Sequence, residues 1–146
     1  MRIALGCDHR GLRVKQAIMG LLPELNCSYH DFGCYSNEPI DYPDIAEDVA
    51  QAVASGDYDQ GILICSTGIG MSIAANKIKG VRAALCHDTF DARRARQHND
   101  ANILCLRGEN IDVDSTLEIA RVYLSTDFES GRHISRLNKI RALEIT

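Results

Sequence analysis

No apolar run in this sequence reaches the roughly 18 residues of a membrane-spanning helix. The start, MRIALGCDHRGLRVK, meets charge at Asp8 after an apolar run too short for a signal peptide, so the expected location is the cytoplasm. Positive charge is not in excess. The 16 Lys and Arg residues face 20 Asp and Glu, a net charge of −4, which speaks against a general nucleic-acid binder. The six cysteines contain no C-x-x-C pair and no Cys/His knuckle, so neither a zinc ribbon nor a redox dithiol motif is present. In a reducing compartment they are free thiols, mostly small buried hydrophobes. Repeats, low-complexity stretches and linkers are also missing. The 146 residues, 45% hydrophobic and 25% charged, fit one globular domain over 1–146 that needs no disulfide or structural metal to fold.

What is present is an alternation. Short β-rich apolar runs occur at Ile3–Cys7, Ser28–Phe32, Gly61–Cys65, Arg82–Cys86 and Asn102–Leu106. They are mostly continuous, as expected of strands buried on both faces of a parallel sheet. Helix-like segments lie between and after them, at Leu12–Leu22, Asp44–Ala54, Gly70–Ile78, Thr89–Gln97, Asp114–Ser125 and Ile134–Leu143. In the second of these, Ile45, Val49 and Val53 repeat every four residues and Asp44 is the expected cap. Such alternation implies right-handed βαβ units and one five-stranded parallel α/β sheet. Ligands bind such sheets beyond the carboxyl ends of the strands. The residues to inspect are therefore Asp8-His9, Gly33-Cys34, Ser66-Thr67-Gly68, His87-Asp88 and Arg107-Gly108-Glu109. The long irregular stretch Gly33–Pro43 is a candidate functional loop.

The strongest local signal is Cys65-Ser66-Thr67-Gly68-Ile69-Gly70-Met71-Ser72. A strand ends in a thiol, a Gly-rich turn follows and a helix begins, an arrangement that offers N–H donors to an anion. Three templates nearly fit and fail at named positions. A dinucleotide fingerprint needs Gly at Ile73, and a P-loop built on Gly6 and Gly11 needs Lys at Leu12. A thiol phosphatase needs Arg at Met71. A thiol without that Arg suits moving protons better than attacking phosphorus. Asp8-His9 is a compact acid–base pair, and Asp88 reads mainly as a helix N-cap. His98-Asn99-Asp100 reads equally well as a functional group or as a helix C-terminus in which Asn takes the left-handed position. Arg132 and Arg136, four apart, are either a solvated basic face or a phosphate clamp.

Together these pieces resemble the type B ribose-5-phosphate isomerase family, whose relatives include galactose-6-phosphate isomerase. The resemblance rests on GCDHRG at 6–11, DYP at 41–43, ILICSTGIGMSIAANK at 62–77, RQHNDAN at 96–102 and GRHISR at 131–136. It implies a Rossmann-like three-layer αβα sandwich and aldose–ketose interconversion of a sugar phosphate. It also implies no cofactor; the residues themselves speak against a metal, a nucleic-acid partner or a membrane. The implied assembly is a homodimer or tetramer with a shared site, the helix at about 131–143 reaching the partner. By position, Cys65 is expected to move the proton between C2 and C1, while Thr67, Gly68 and Gly70, beside Ser66, hold the enediolate oxygen. His98 is expected to open the furanose, and Asn99, Asp8 and Tyr42 to contact hydroxyls. Arg132 and Arg136, with His9, are expected to bind phosphate. Two departures stand out: Ser66 where the family commonly has Gly, and Glu109 where many relatives have a phosphate-binding Arg. The expectation is that Arg107 replaces that charge and that Glu109 pairs with a neighbouring Arg or faces solvent. Since no ligand spacing is visible, exhaustive chelation is predicted to leave isomerisation intact. Activity lost on chelation and restored by one divalent ion contradicts this.

Overall fold

The computed structural model describes residues 1–144. Strands β1 (Arg2–Cys7), β2 (Ser28–Asp31), β3 (Gln60–Cys65), β4 (Ala83–Leu85) and β5 (Ile103–Arg107) form one parallel sheet in the order β2-β1-β3-β5-β4. Helices α1 (Leu12–Leu21), α2 (Tyr42–Ala54), α3 (Ile69–Ala75), α4 (Thr89–Gln97), α5 (Val113–Leu124) and α6 (His133–Ala142) complete the described elements. The five-stranded parallel α/β sheet expected from the alternation is therefore present, within the three-layer sandwich that the resemblance implies.

Side chains on successive strand residues point to opposite faces, and they divide the core in two. Ile3, Leu5 and Cys7, Ile62 and Ile64, Leu104 and Leu106 pack with α1, α4 and α5. Ala4, Leu63 and Cys65, Ile103 and Cys105 pack with α2 and α3. All six residues of β3 are buried. The loops after β1 and β5 lead to helices on the first face, whereas the loop after β3 leads to α3 on the second. The chain thus parts on both sides of the end of β3, which opens the crevice where ligands of such sheets bind.

The differences from the sequence expectations are local. Helix α2 starts two residues earlier than expected, at Tyr42, with Asp41 in the N-cap position and Pro43 in the first turn. Asp44 lies inside that turn and is not the cap; proline's fixed φ suits the first helical positions better. Strand β4 shrinks to Ala83–Leu85, and α3 ends at Ala75. The left-handed residue after α4 is Asp100 at φ 45°, not Asn99. Asp88 caps α4 as expected, its carboxylate accepting from Asp91 N–H at 2.7 Å. All six cysteines are free and buried.

One buried polar contact ties α5 to the sheet. The Tyr123 hydroxyl lies 2.7 Å from Gln60 Oε1 and 2.8 Å from the Ala101 carbonyl. A single hydroxyl proton can serve only one of these acceptors, so the Gln60 amide is better placed with its NH₂ toward the tyrosine. Tyr123→Phe leaves these groups unpaired in a dry core. It is predicted to cost about 1–3 kcal/mol of stability while activity per folded molecule stays near wild type. Denaturant midpoints and active-site-normalised rates check this.

Candidate active site

At the end of β3, Cys65 is 4% exposed, and its Sγ accepts a hydrogen bond from Gly68 N–H at 3.2 Å. That bond fixes the thiol's rotamer at the mouth of the crevice. Gly68 is left-handed, at φ 79°, and an added Cβ there would come within 3.0 Å of the Leu106 carbonyl and 2.6 Å of Leu85. Ile69 N–H donates to Thr67 Oγ1 at 3.2 Å, so the threonine hydroxyl keeps its own proton to donate elsewhere. Helix α3 has only seven residues. The donors here are consequently local turn N–H groups rather than the end of a long helix dipole.

The neighbouring loops close on this turn. Asp8 N–H donates to the Ile64 carbonyl at 3.1 Å, and Asp8 itself is 5% exposed. Its carboxylate accepts from Arg10 N–H at 2.9 Å. His9 Nδ1 accepts from Ile40 N–H at 3.3 Å, so the neutral ring carries its proton on Nε2. Tyr42 lies against Gly70, where an added Cβ would meet the ring at 2.5 Å. Gly108 N–H donates to the Cys65 carbonyl at 2.8 Å, and Glu109 N–H to the Ser66 carbonyl at 3.3 Å.

Glu109 pairs with a neighbouring arginine, and the partner is Arg10, at 3.2 and 3.3 Å. The Ser66 hydroxyl first, and then the Arg10 guanidinium, holds the Glu109 carboxyl below the usual carboxylate range. Both side chains are exposed, so the pair contributes little to stability. Arg107 stands in register with Cys65, and its Nε is buried without a hydrogen-bond partner.

The remaining expected residues form a second group. Helix α4 runs back across the sheet from Asp88, so its nine residues carry His98 about 14 Å toward the opposite edge. His98 stacks there on His133, ring centroids 4.3 Å apart and planes within 19°. Arg132 and Arg136 begin α6, and Asn99 lines a cavity of about 870 Å³ with Ile140 and Leu143. Within one chain, Cys65, Ser66, Thr67, Gly68, Gly70, Asp8, His9 and Tyr42 meet. His98, Asn99, Arg132 and Arg136 gather elsewhere.

Sequence reasoning missed His133 and Glu129, whose donor atoms come with His98 to within 4.8 Å of one another. His133 lies inside the GRHISR segment, but no local spacing relates it to His98. Stacked rings aim their lone pairs in parallel rather than at one point. The cations Arg94 and Arg132 also act on His98. The cluster is therefore poorly built for a metal ion.

The ribose/galactose isomerase family model matches residues 3–140. The chain belongs to that family. Among its relatives, Escherichia coli ribose-5-phosphate isomerase B is 43% identical, with 98% of this chain and 96% of that protein aligned. Listeria innocua ribose-5-P isomerase B is 44% identical, with 99% and 97% aligned. The structure of Clostridium thermocellum ribose-5-phosphate isomerase B superposes with a TM-score of 0.96 at 46% identity, covering 99% of this chain and 97% of that one. The two chains thus share this fold nearly end to end.

The thiols are chemically unequal. Burial pushes Cys7 and Cys86 up to about 12, and burial, followed by its neighbouring thiols, raises Cys105 further. A thiol at about 12 is roughly one part in 10⁴ thiolate at pH 8, and only the thiolate alkylates readily. Iodoacetamide at that pH is predicted to modify Cys65 before Cys7, Cys86 or Cys105, with protection by sugar phosphate. Peptide mass mapping that finds Cys86 modified first contradicts this.

Proposed function

We propose that this protein is an aldose–ketose isomerase that interconverts ribose 5-phosphate and ribulose 5-phosphate through an enediolate. The observation that carries this reading is the thiol of Cys65, fixed by Gly68 N–H in the crevice at the end of β3, in a chain of this family. Relatives aligned over nearly its full length are ribose-5-phosphate isomerases B.

The chemistry follows from the residues present. A C–H proton beside a carbonyl is weakly acidic, and the barrier lies mostly in the charge that grows on oxygen. Cys65 takes the proton from C2 and returns it to C1. Thr67, with its uncommitted hydroxyl proton, and the Gly70 N–H stabilise the oxyanion, each good donor worth about 3–4 kcal/mol, while Gly68 N–H stays on the Cys65 sulfur. Asp8 and Tyr42 flank the crevice and hold substrate hydroxyls. Ser66 sits beside the base and braces Glu109.

His98 opens the furanose by protonating the ring oxygen, Asn99 holds a hydroxyl, and Arg132, Arg136, His9 and Arg107 grip phosphate. In this reading a homodimer supplies the second group of residues to the first. Support comes from the length of α4, which keeps His98 far from Cys65 of its own chain. Exposed Ile69 and Ile73 beside the crevice, and exposed Ile134 and Ile140 on α6, give a second copy apolar surface to cover. Only His133 of α6 is buried in the single chain, which fits a helix that finds its packing on a partner. Six reduced, buried thiols fit a cytoplasmic enzyme. No described helix is long and apolar enough to cross a membrane.

A panel of pentose and hexose phosphates tests the assignment by aldose–ketose conversion. Ribose 5-phosphate is expected to have the highest kcat/KM, and preference for a hexose 6-phosphate displaces the reading within the family. Cys65→Ala is predicted to fold normally and lose at least about 10³-fold in kcat, whereas Cys86→Ala keeps most activity. Comparable rates in the two variants defeat the assignment of the base.

A further inference from the structure

His98 does not stand alone. Its backbone N–H closes the end of α4 on Arg94 O at 2.9 Å, and Glu129 N–H donates to the Gln97 carbonyl at 3.1 Å. That second bond pins the segment after α5 against the end of α4. Left-handed Ser130 and Gly131 then turn the chain, so that His133 starts α6 directly beneath the His98 ring. His133 is only 4% exposed. Its Nε2 faces the Glu129 carboxylate at 3.4 Å, yet at an angle that makes no hydrogen bond, so this buried nitrogen is otherwise unpartnered. The ring of Phe128, 6.5 Å from His133, adds to its surroundings.

We propose that His133 and Glu129 are positioning residues for His98, with Glu129 holding His133 through Nε2 and the stacked His133 ring fixing the plane in which His98 meets the substrate. The proposal rests on the reading of His98 as the acid that opens the furanose. Ring opening needs a proton delivered along one line to the ring oxygen, so a freely turning imidazole at a helix end spends most of its time misaligned. A second aromatic ring stacked on it removes that freedom without occupying either of its nitrogens.

The electrostatics agree. Partial burial first, then the neighbouring His133 and the Arg94 and Arg132 guanidiniums, hold His98 below the ordinary imidazole value, while Glu129 opposes them. Two stacked imidazoles resist carrying two protons. A proton on His98 is therefore readily given up, while Glu129 acts on His98 in the opposite sense.

The test combines ¹³C-histidine NMR titration of the intact enzyme with two rates. One is turnover of ribose 5-phosphate. The other is deuterium exchange at C1 of ribulose 5-phosphate in D₂O. That ketose cannot close a furanose because its O5 is phosphorylated, so exchange reports the C–H step alone. His133→Ala is expected to slow ribose 5-phosphate turnover about tenfold or more, with exchange within about twofold of wild type. His133→Phe keeps a ring to stack and removes the ionisable group. It is expected to regain most turnover while His98 titrates at higher pH, and it guards against failure of the alanine variant to fold. Glu129→Gln is expected to move the His98 titration lower. Equal losses of turnover and exchange, or an unmoved His98 titration in the phenylalanine and glutamine variants, overturn the proposal. If the titration moves as expected but His98→Asn leaves ribose 5-phosphate turnover intact, the assignment of His98 as ring-opening acid has failed, and the positioning role falls with it.

Discussion

The site depends on how closely two loops can approach the end of β3. A Cβ on Gly11 would come within 2.7 Å of the Ile64 carbonyl, and one on Gly108 within 2.7 Å of the Arg10 carbonyl and 3.1 Å of the Cys65 carbonyl. These are backbone contacts, which cannot swing aside as a flexible side chain can. Glycine at these positions lets the loops after β1 and β5 lie on the strand end between them. Their N–H groups then satisfy the carbonyls of Ile64, Cys65 and Ser66, groups that burial would otherwise leave costly. The Cys65 turn is rigid because its neighbours bond to it directly.

That arrangement is anchored on its far side by a buried cation. Lys15 of α1 is 1% exposed, and its Nζ meets Asp31 at 2.7 Å and also the Cys34 carbonyl. Taking an ammonium out of water costs several kcal/mol unless it is well paired, so this pair holds the start of the long loop after β2 to α1. Cys7 and the same loop exchange backbone hydrogen bonds, Cys7 N–H to Gly33 O and Cys34 N–H to Cys7 O, both at 2.7 Å. The loop then passes His9 through the Ile40 N–H bond and delivers Tyr42 onto Gly70. A segment without regular structure thus has a defined path.

The charge at the lip of the crevice is paired as expected. Where the resemblance implies a phosphate-binding arginine, this chain carries Glu109 and supplies Arg10 from the loop after β1. The two charges cancel at the lip of the crevice. The proposed phosphate grip therefore rests on the other cations, Arg107, Arg132 and Arg136.

The alternation of apolar runs and amphipathic segments determined the sheet, its parallel sense and the edge where the candidate site lies, because burial on both faces leaves a continuous apolar signature that a single chain displays openly. The Cys65–Lys77 stretch was equally legible, since turn, thiol and glycines are contiguous. The limits of α2 and β4 were not, because proline geometry at Tyr42-Pro43 and the shortness of an edge strand compete with hydrophobic pattern. The His98–His133 stack and the Arg10–Glu109 pair were decided only by tertiary structure. Each joins side chains distant in sequence whose approach depends on the crossing of α4, the turn at Ser130-Gly131 and the order of β1, β3 and β5. Stacking and ion pairing act over a few ångströms, and nothing in local spacing encodes which distant elements the fold will bring within that reach.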